Sequence, residues 1–253
     1  MALVADKHDL RSGTVAPFTL TMFEEATPGL FHFFGTRQGP QYGGSNGELG
    51  TVRAAAPQFS KVLSVRQVHG TEALILDHPV RVGEKFDAGW DAIVTNQQGL
   101  LVTVRTADCV PVMLASPHHR VVAAVHAGWR GAVQGIVPKT LEAMRARFGC
   151  TMDSIHMAIG PSAGPCCYEV DQAVIDPIQK ICSNWQTVLN LTDMQRGQLD
   201  LKGFVRQQAV ASGINPDHVH ALGLCTICRG DLFFSYRREG KMHGTMVSGI
   251  MLP

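Results

Sequence analysis

Two apolar, β-branched segments near the middle of the chain constrain its fold more than any other feature; they cover 110–115 and 121–125. A polar interruption that contains proline separates them, which predicts two antiparallel strands joined by a tight turn. Cys109 precedes the first segment, and His126 follows the second. If 116–119 form the turn, Cys109 lies opposite His126, and a turn of five residues would make them diagonal neighbours. We therefore predict that a thiol and an imidazole meet at one sheet edge.

Length and composition favour one domain with a substantial core. A chain of 253 residues suits one large domain or two small ones, but no repeat and no Pro- or Ser-rich linker divides it. An apolar fraction of 45% with a charged fraction of 17% argues against a disordered chain. We predict a single α+β domain over 1–253, in which mixed, largely antiparallel sheet layers are flanked by helices. The segment 1–17 is predicted to be a flexible N-terminus, and 39–50 a glycine-rich loop.

Local patterns place the other elements. Apolar residues recur at helical spacing from Val137 to Phe148, with Pro138 in the first turn and Gly149 at the end. Asp171 is a predicted N-cap for a helix that reaches about Trp185. A further helix is predicted over 201–211, and strands are predicted over 30–34, 61–68, 74–76, 90–95, 100–104, 155–159, 219–222, 232–236 and 246–251.

Charge and targeting signals exclude several classes of function. The formal net charge of +1 provides no basic stripe for nucleic acid or for an anionic membrane. The first nine residues lack the apolar core of a secretory signal peptide. The sequence contains no run of about 18 apolar residues, so no membrane span is predicted. Seven cysteines without an export signal are typical of a reduced, cytoplasmic protein. The oligomeric state is left open by the sequence.

Three candidate metal ligands stand at the ends of separate predicted strands: His69, Cys109 and His126. Two imidazoles and a thiolate suit zinc, and three protein ligands leave a fourth position for water or a substrate oxygen. The three residues are not contiguous, so a structural role for each histidine remains an alternative. We predict a zinc site with an open position.

Neighbouring residues could complete such a site. Asp108 could orient a ligand histidine, act as an acid or base, or cap a turn. Arg130 lies near a predicted helix start, where it could bind a phosphate oxygen or remain solvated. Cys225 and Cys228 form a lone CxxC pair, which is weak evidence for a metal site. We interpret both cysteines as structural, together with Cys150, Cys166, Cys167 and Cys182.

Several motifs together resemble the laccase-domain, or YfiH-like, purine nucleoside phosphorylase family, whose members have been labelled polyphenol oxidases. The resemblance extends from about Phe31 to the C-terminus, and the pair TADC and HAGWRG is its most specific part. The matching segments are Phe34-Gly-Thr-Arg37, Arg66-Gln-Val-His-Gly70, Thr106-Ala-Asp-Cys-Val-Pro111, His126-Ala-Gly-Trp-Arg-Gly131, Ile159-Gly-Pro161, Cys167-Tyr-Glu-Val170, Cys225-Thr-Ile-Cys228 and Phe233-Phe-Ser-Tyr-Arg-Arg238.

The resemblance implies a zinc-dependent enzyme that phosphorolyses adenosine, inosine, guanosine and methylthioadenosine and also deaminates adenosine. The implied zinc ligands are the three residues named above, and the implied partners are purine nucleosides and phosphate. As a mechanistic hypothesis, Arg37 and Arg130 stabilise the anion, and Asp108 or a water assists proton movement to the base. Tyr168 and Arg237 are predicted to contact the substrate. The chain departs from the family in its short 39–50 segment and in Thr245, where the family commonly has arginine.

Rival functions remain open on the sequence alone. A multicopper oxidase needs many closely spaced histidine pairs, which eleven scattered histidines do not supply. A cysteine-dependent hydrolase or amidase could use Cys109 as nucleophile and His126 as base. A non-catalytic nucleoside-binding module is a third alternative. A cytidine-type deaminase is disfavoured because the HxE and PCxxC motifs are absent.

Overall fold

A computed structural model describes residues 17–39, 41–42, 49–50, 52–53, 61–81 and 83–253. The predicted flexible N-terminus lies almost entirely outside these residues, as does most of the predicted 39–50 loop. The helices are α1 Thr21–Ala26, α2 Trp129–Val133, α3 Ile136–Phe148, α4 Gln172–Ile181, α5 Leu201–Ala211 and α6 Tyr236–Glu239. The strands are β1 Phe31–Phe34, β2 Gln41–Tyr42, β3 Leu49–Gly50, β4 Val52–Arg53, β5 Val62–Ser64, β6 Ala73–Leu76, β7 Ala92–Thr95, β8 Leu101–Thr106, β9 Val110–Ser116, β10 Val121–Ala127, β11 His156–Ile159, β12 Glu169–Asp171, β13 Leu189–Leu191, β14 Arg196–Leu199, β15 Val219–Ala221 and β16 Met246–Met251.

Two mixed sheets form the body of the fold. One has the strand order β15-β11-β9-β10-β7-β6, and the other has the order β1-β16-β8-β5-β3. Antiparallel pairing predominates in both, with parallel pairs at β15–β11, β7–β6 and β5–β8. A smaller sheet, β12-β14-β13, lies beside α4. The α+β architecture predicted from the sequence is confirmed.

The β9–β10 hairpin is buried on both faces because the second sheet covers one side and helices cover the other. Val122 and Ala124 belong to the core shared with β8 and β16. Val121, Ala123 and Val125 belong to the core shared with α3, α4 and α5. This two-sided burial explains why the hairpin sequence is almost continuously apolar rather than alternating.

The hairpin register differs from the prediction by two residues. Ser116 pairs with Val121, so Pro117–Arg120 form the turn, and His126 lies opposite Pro111 rather than Cys109. Arg120 has a φ of 52°, and this left-handed residue closes the turn one position later than expected. Because a shift of two preserves the pleat, it leaves the side-chain face of His126 unchanged.

The main helices begin and end close to their predicted positions. Pro138 lies in the first turn of α3, and Gly149 ends that helix in a left-handed conformation. Asp171 caps α4 by accepting from the amide of Ala173. The prediction that this helix reaches Trp185 is wrong, because it ends at Ile181 before a turn built on Ser183 and Asn184.

The predicted strand over 232–236 is also wrong. Phe233 is fully buried in a small apolar cluster with Leu232 and Met246. Ser235 instead caps α6 by accepting a hydrogen bond from the amide of Arg238. Aromatic burial produced the strand-like pattern, and the serine cap overrides it.

No helix among the described residues is both long enough and apolar enough to cross a bilayer.

Candidate metal centre and adjacent cleft

The structure brings His69, Cys109 and His126 together. Their candidate ligand atoms all lie within 4.8 Å of one another. The Cys109 Sγ is 3.8 Å from the His69 Nε2, and the two imidazole rings are 4.8 Å apart in an edge-to-face arrangement. His126 is buried on β10, whereas His69 is exposed. The group is therefore open to solvent on the His69 side.

Unusual backbone conformations deliver two of these ligands. His69, in the connection between β5 and β6, has a φ of 60°. Asp108, directly before Cys109, has a φ of 96°, which breaks the alternation between β8 and β9. Left-handed conformations at residues other than glycine are uncommon and cluster at functional sites. The strain therefore marks both connections as parts of a built site.

Gly128 lets a third segment approach the same ligands. A Cβ at this position would lie 2.8 Å from the His69 Cδ2 and 3.2 Å from the Cys109 Sγ. Gly131 has a comparable constraint, because its Cβ would lie 2.7 Å from the backbone oxygen of Gly70. Together the two glycines let the start of α2 pack directly against Cys109 and the His69-Gly70 segment.

Asp91 holds the ligand histidines in place, and the sequence analysis missed it. Its fully buried carboxylate is 2.7 Å from the His126 Nδ1. The same carboxylate accepts hydrogen bonds from the amides of His69 at 2.9 Å and Gly70 at 2.6 Å. This partner leaves the Nε2 of His126 for a metal, as is usual for ligand histidines. The signal in the sequence was an aspartate directly before the apolar segment of β7.

The charges at the site reinforce one another. Burial by itself raises the pKa of Cys109, but the charge of His126 and hydrogen bonds from both imidazoles hold that pKa below its usual range. Burial lowers the pKa of His126, whereas the Cys109 thiolate and the Asp91 carboxylate raise it more strongly. Burial also raises the pKa of Asp91, and the bond and charge of His126 outweigh that effect and lower it. The thiolate form that a metal requires is thus favoured.

A cleft of about 440 Å³ begins directly after Gly128. Its walls include three of the predicted site residues, Arg130, Tyr168 and Arg237, together with Trp129. The guanidinium of Arg130 lies 4.4 Å from the centre of the Trp129 ring, and that of Arg237 lies 5.1 Å from the centre of the Tyr168 ring. Two cations over two aromatic faces thus line one cavity. Trp129 was not predicted as a site residue.

The chain order places this cleft beside the metal-ligand group. Trp129 and Arg130 of the cleft directly follow Gly128, whose Cβ position lies against His69 and Cys109. Burial raises the pKa of Tyr168, on the cleft wall, to about 12, and the charges of Cys109 and Asp108 add to that effect. The cleft therefore begins next to the three ligands.

Asp108 is placed beside the site but is already bonded. Its carboxylate accepts hydrogen bonds from the Thr226 hydroxyl at 2.6 Å, the Ser235 hydroxyl at 2.9 Å and the Arg237 amide at 2.7 Å. The contact with a ligand histidine, which was one of the alternative roles of Asp108, is made by Asp91. Proton transfer by Asp108 would require one of its three bonds to open.

Arg37 lies apart from the other predicted arginines. Its guanidinium donates to the backbone oxygen of Gly230 at 2.6 Å and lies 4.9 Å from the centre of the Phe234 ring. Arg37 is not one of the described residues that line the cleft. The structure thus brings together Arg130, Tyr168 and Arg237 and leaves Arg37 on a neighbouring exposed surface.

One histidine pair with a single intervening residue does occur, in the segment His218-Val219-His220. The His218 ring stacks on His156, with the ring centres 4.0 Å apart. This pair begins β15 at the edge of the six-stranded sheet. Within the part of the chain that the structure describes, the candidate metal-ligand groups do not include it.

Comparison with known proteins agrees with the resemblance in the sequence motifs. A family model described as "Multi-copper polyphenol oxidoreductase laccase" matches residues 48–253. The chain is 30% identical over 205 residues to the human protein named Purine nucleoside phosphorylase LACC1; the match covers 79% of this chain but only 46% of the human protein. It is 35% identical over 191 residues to Adenosine deaminase RL5 from an unknown prokaryotic organism, a match that covers 73% of this chain and 72% of that protein.

A solved structure shares the fold. The hypothetical protein YfiH of Bacillus licheniformis superposes with a TM-score of 0.75 at 25% identity, over 88% of this chain and 93% of that one. The chain spans about half the length of the human relative. The match over 48–253 includes all three candidate ligands and the residues of the cleft. The chain therefore belongs to the laccase-domain family of YfiH-like proteins, which includes relatives named purine nucleoside phosphorylase.

Proposed function

We propose that this protein is a zinc-dependent purine nucleoside phosphorylase that acts on adenosine, inosine, guanosine and methylthioadenosine and that also deaminates adenosine. One observation carries the proposal. A group of two imidazoles and one thiolate lies beside Gly128, and the cleft that begins at the next residue is lined by arginines and aromatic rings. The names of two relatives, a purine nucleoside phosphorylase and an adenosine deaminase, support the choice of reaction.

The donor set of His69, Cys109 and His126 fits zinc. Mixed imidazole and thiolate ligands are typical of zinc, and three protein ligands are typical of catalytic rather than structural sites. The Asp91 carboxylate supports this assignment because it accepts a hydrogen bond from the Nδ1 of His126, which leaves the Nε2 for the metal. A bound zinc ion would supply Lewis-acid activation of the attacking phosphate or water.

The cleft residues would bind the rest of the reactants. Arg130 and Arg237 carry positive charge into a cavity of the size that small-molecule sites have, and a guanidinium binds phosphate oxygens in pairs. The rings of Trp129 and Tyr168 offer flat surfaces for a purine base. Stabilising the anion while the glycosidic bond weakens is then the main contribution of Arg130.

Asp108 and Arg37 have less direct proposed roles. Asp108 fixes the backbone of Arg237 at 2.7 Å, and it would assist proton movement to the purine if one of its hydrogen bonds opens. Arg37 would stabilise the phosphate only if its guanidinium leaves the oxygen of Gly230. We therefore expect an Arg130→Gln change to reduce phosphorolysis more than Arg37→Gln does.

Chromatography of adenosine incubated with and without phosphate tests the proposal. We expect adenine only when phosphate is present, and inosine without phosphate from the deaminase reaction. Cys109→Ala should abolish zinc binding at the His69, Cys109 and His126 site and both products, whereas Cys182→Ala, outside the site, should keep them. Absence of both products from zinc-replete protein, or full phosphorolysis by metal-free protein, would overturn the proposal.

A second candidate function has its own observation. A thiol with a lowered pKa beside two imidazoles is the arrangement of a cysteine nucleophile with its base. A hydrolase or amidase that uses Cys109 and His126 predicts stoichiometric alkylation of Cys109 by iodoacetamide in metal-replete protein. Zinc ligation predicts protection of Cys109 under the same conditions, and Cys109→Ala protein provides the control for alkylation of the other thiols.

Copper oxidation fits the described residues less well. Oxidases with several copper ions need several groups of histidine ligands. Of the two candidate metal groups in the described part of the chain, one contains histidine. We therefore propose that the oxidase name of the family does not describe the reaction of this protein.

A further inference from the structure

A second group of sulfur atoms lies outside the proposed catalytic site. It contains Cys166 and Cys167, from the loop before β12, and Cys225 and Cys228, from the loop after β15. All four sulfur atoms lie within 4.8 Å of one another. The two cysteine pairs are about 60 residues apart in sequence, so the fold itself assembles the group.

The spacing of the sulfur atoms fits ligation better than disulfide bonding. The Cys228 Sγ is 3.2 Å from the Cys167 Sγ and 3.5 Å from the Cys166 Sγ. A disulfide requires about 2.05 Å between its sulfurs. Four thiolates around one zinc at about 2.3 Å lie about 3.8 Å from each other in a tetrahedron. The observed separations are closer to the tetrahedral value than to the disulfide value. The sulfur of Cys228 also faces two cysteines, whereas a disulfide joins only two sulfurs.

Hydrogen-bond donors and cations surround the group. The Gly164 amide donates to the Cys225 Sγ at 3.3 Å, and the amides of Cys228 and Ile227 also favour its thiolate. A Cβ at Gly164 would lie 3.1 Å from the Cβ of Cys225, so glycine at this position allows the two loops to approach closely. This pattern of amides directed at the first cysteine of a CxxC turn stabilises thiolate charge.

Lys202 and Arg238 provide positive charge beside these loops. The Lys202 ammonium is mostly buried and donates to the backbone oxygen of Leu224 at 2.8 Å, next to Cys225. Arg238 donates to the backbone oxygens of Thr226 and Ile227 inside the CxxC turn, at 2.7 and 3.0 Å. A cluster of four thiolates and a divalent ion is a net anion, and these two cations offset part of its charge.

We propose that Cys166, Cys167, Cys225 and Cys228 bind a second zinc ion with four thiolate ligands. Four protein ligands leave no open position, so this zinc is structural rather than catalytic. The inference does not depend on the proposed reaction, because none of the four cysteines belongs to the His69, Cys109 and His126 group.

The second ion would stabilise the wall of the cleft. Cys167 directly precedes Tyr168, which lines the cleft. Thr226, inside the CxxC turn, donates its hydroxyl to Asp108 at 2.6 Å. Joining the two loops through one ion therefore fixes the Tyr168 ring relative to the segment that holds Cys109. The sequence analysis treated Cys225 and Cys228 as a weak, lone pair because their partners lie far away in the chain.

Metal analysis of the full chain, purified under reducing conditions, tests this proposal. We expect two zinc ions per chain in the unchanged protein. We expect one in Cys228→Ser and one in Cys109→Ala, because each variant disrupts a different group. Cys182→Ser is the matched control, since Cys182 belongs to neither group, and it should retain both ions.

Cobalt substitution provides a readout that is independent of activity. Cobalt in the unchanged protein should show the intense sulfur-to-cobalt absorption of a four-thiolate site, and Cys228→Ser should lose most of it. If Cys228→Ser fails to fold, Cys166→Ser replaces it, because Cys166 is also exposed and belongs to the same group. One zinc per chain in the unchanged protein, two in Cys228→Ser, or a disulfide between the two loops in metal-loaded protein would overturn the proposal.

Discussion

Replacing Asp91 by asparagine should damage the metal site without touching a metal ligand. The Asp91 carboxylate accepts from His126 at 2.7 Å, from the His69 amide at 2.9 Å and from the Gly70 amide at 2.6 Å. Asparagine has the same shape, but its NH2 group faces at least one of these donors. The variant also loses the negative charge that faces the imidazole of His126.

The magnitude follows from the burial of this pair. The side chain of Asp91 is fully buried and that of His126 is 3% exposed, so solvent screens their interaction little. Removing one partner of a buried, hydrogen-bonded charge pair costs about 3–5 kcal/mol. Loss of the carboxylate behind a ligand histidine lowers metal affinity about 10–100-fold. We therefore expect Asp91→Asn to lose about 3–5 kcal/mol in the free energy of unfolding.

Two assays check this prediction. Competition with a chelator measures zinc affinity, and urea unfolding of metal-free protein measures stability. Asp87→Asn is the matched control, because Asp87 is exposed and lies in the same connection. Since the folded pKa of Asp91 is lower than its unfolded value, its stabilising effect is complete at neutral pH and is lost as pH falls through the folded pKa. Asp91→Asn protein with unchanged zinc affinity and unchanged stability would refute the reasoning.

Three further predictions follow from other contacts. Gly128→Ala should weaken zinc binding at the His69, Cys109 and His126 site, measured by chelator competition, because its Cβ would lie 2.8 Å from the His69 ring; unchanged affinity would contradict the close approach. Burial lowers the pKa of His32 to about 4, so folding stability should fall as pH drops from 6.5 toward 4, by up to about 3 kcal/mol. Urea unfolding at several pH values should show a smaller fall in His32→Gln than in the exposed control His118→Gln. Asp200→Ala removes the N-cap of α5 and should cost about 1 kcal/mol in thermal unfolding, with no change in zinc content.

The candidate ligands could be predicted because each lies directly beside a short apolar segment, either before it or after it. Val137 to Phe148 and 201–211 were identified as helices for the same reason, since their periodicity is local. The predicted hairpin register was wrong by two residues, because Arg120 adopts a left-handed conformation that is uncommon for arginine and could not be predicted from the sequence. The pleat nevertheless kept His126 on its predicted side of the sheet.

The contacts that position the candidate ligands could not be predicted, because they join residues far apart in the sequence. Asp91 lies 35 residues before His126, and only the pairing of β7 with β10 makes them neighbours. Cys166 and Cys228 are separated by 62 residues and meet through the arrangement of two loops. Asp108 was identified as a candidate site residue, but its bonds to Thr226 and Ser235 depend on tertiary packing. Composition and spacing therefore identify the reactive residues better than the residues that position them.

X-ray absorption at the zinc edge tests the central claim most directly. The suitable sample is Cys228→Ser protein loaded with one zinc per chain, in which the proposed four-thiolate group is disrupted. The site formed by His69, Cys109 and His126 predicts two imidazole nitrogens at about 2.0–2.1 Å and one sulfur at about 2.3 Å from the zinc. A spectrum without imidazole scattering, or a shell of several sulfur atoms, would contradict the assignment of these three residues as the ligands.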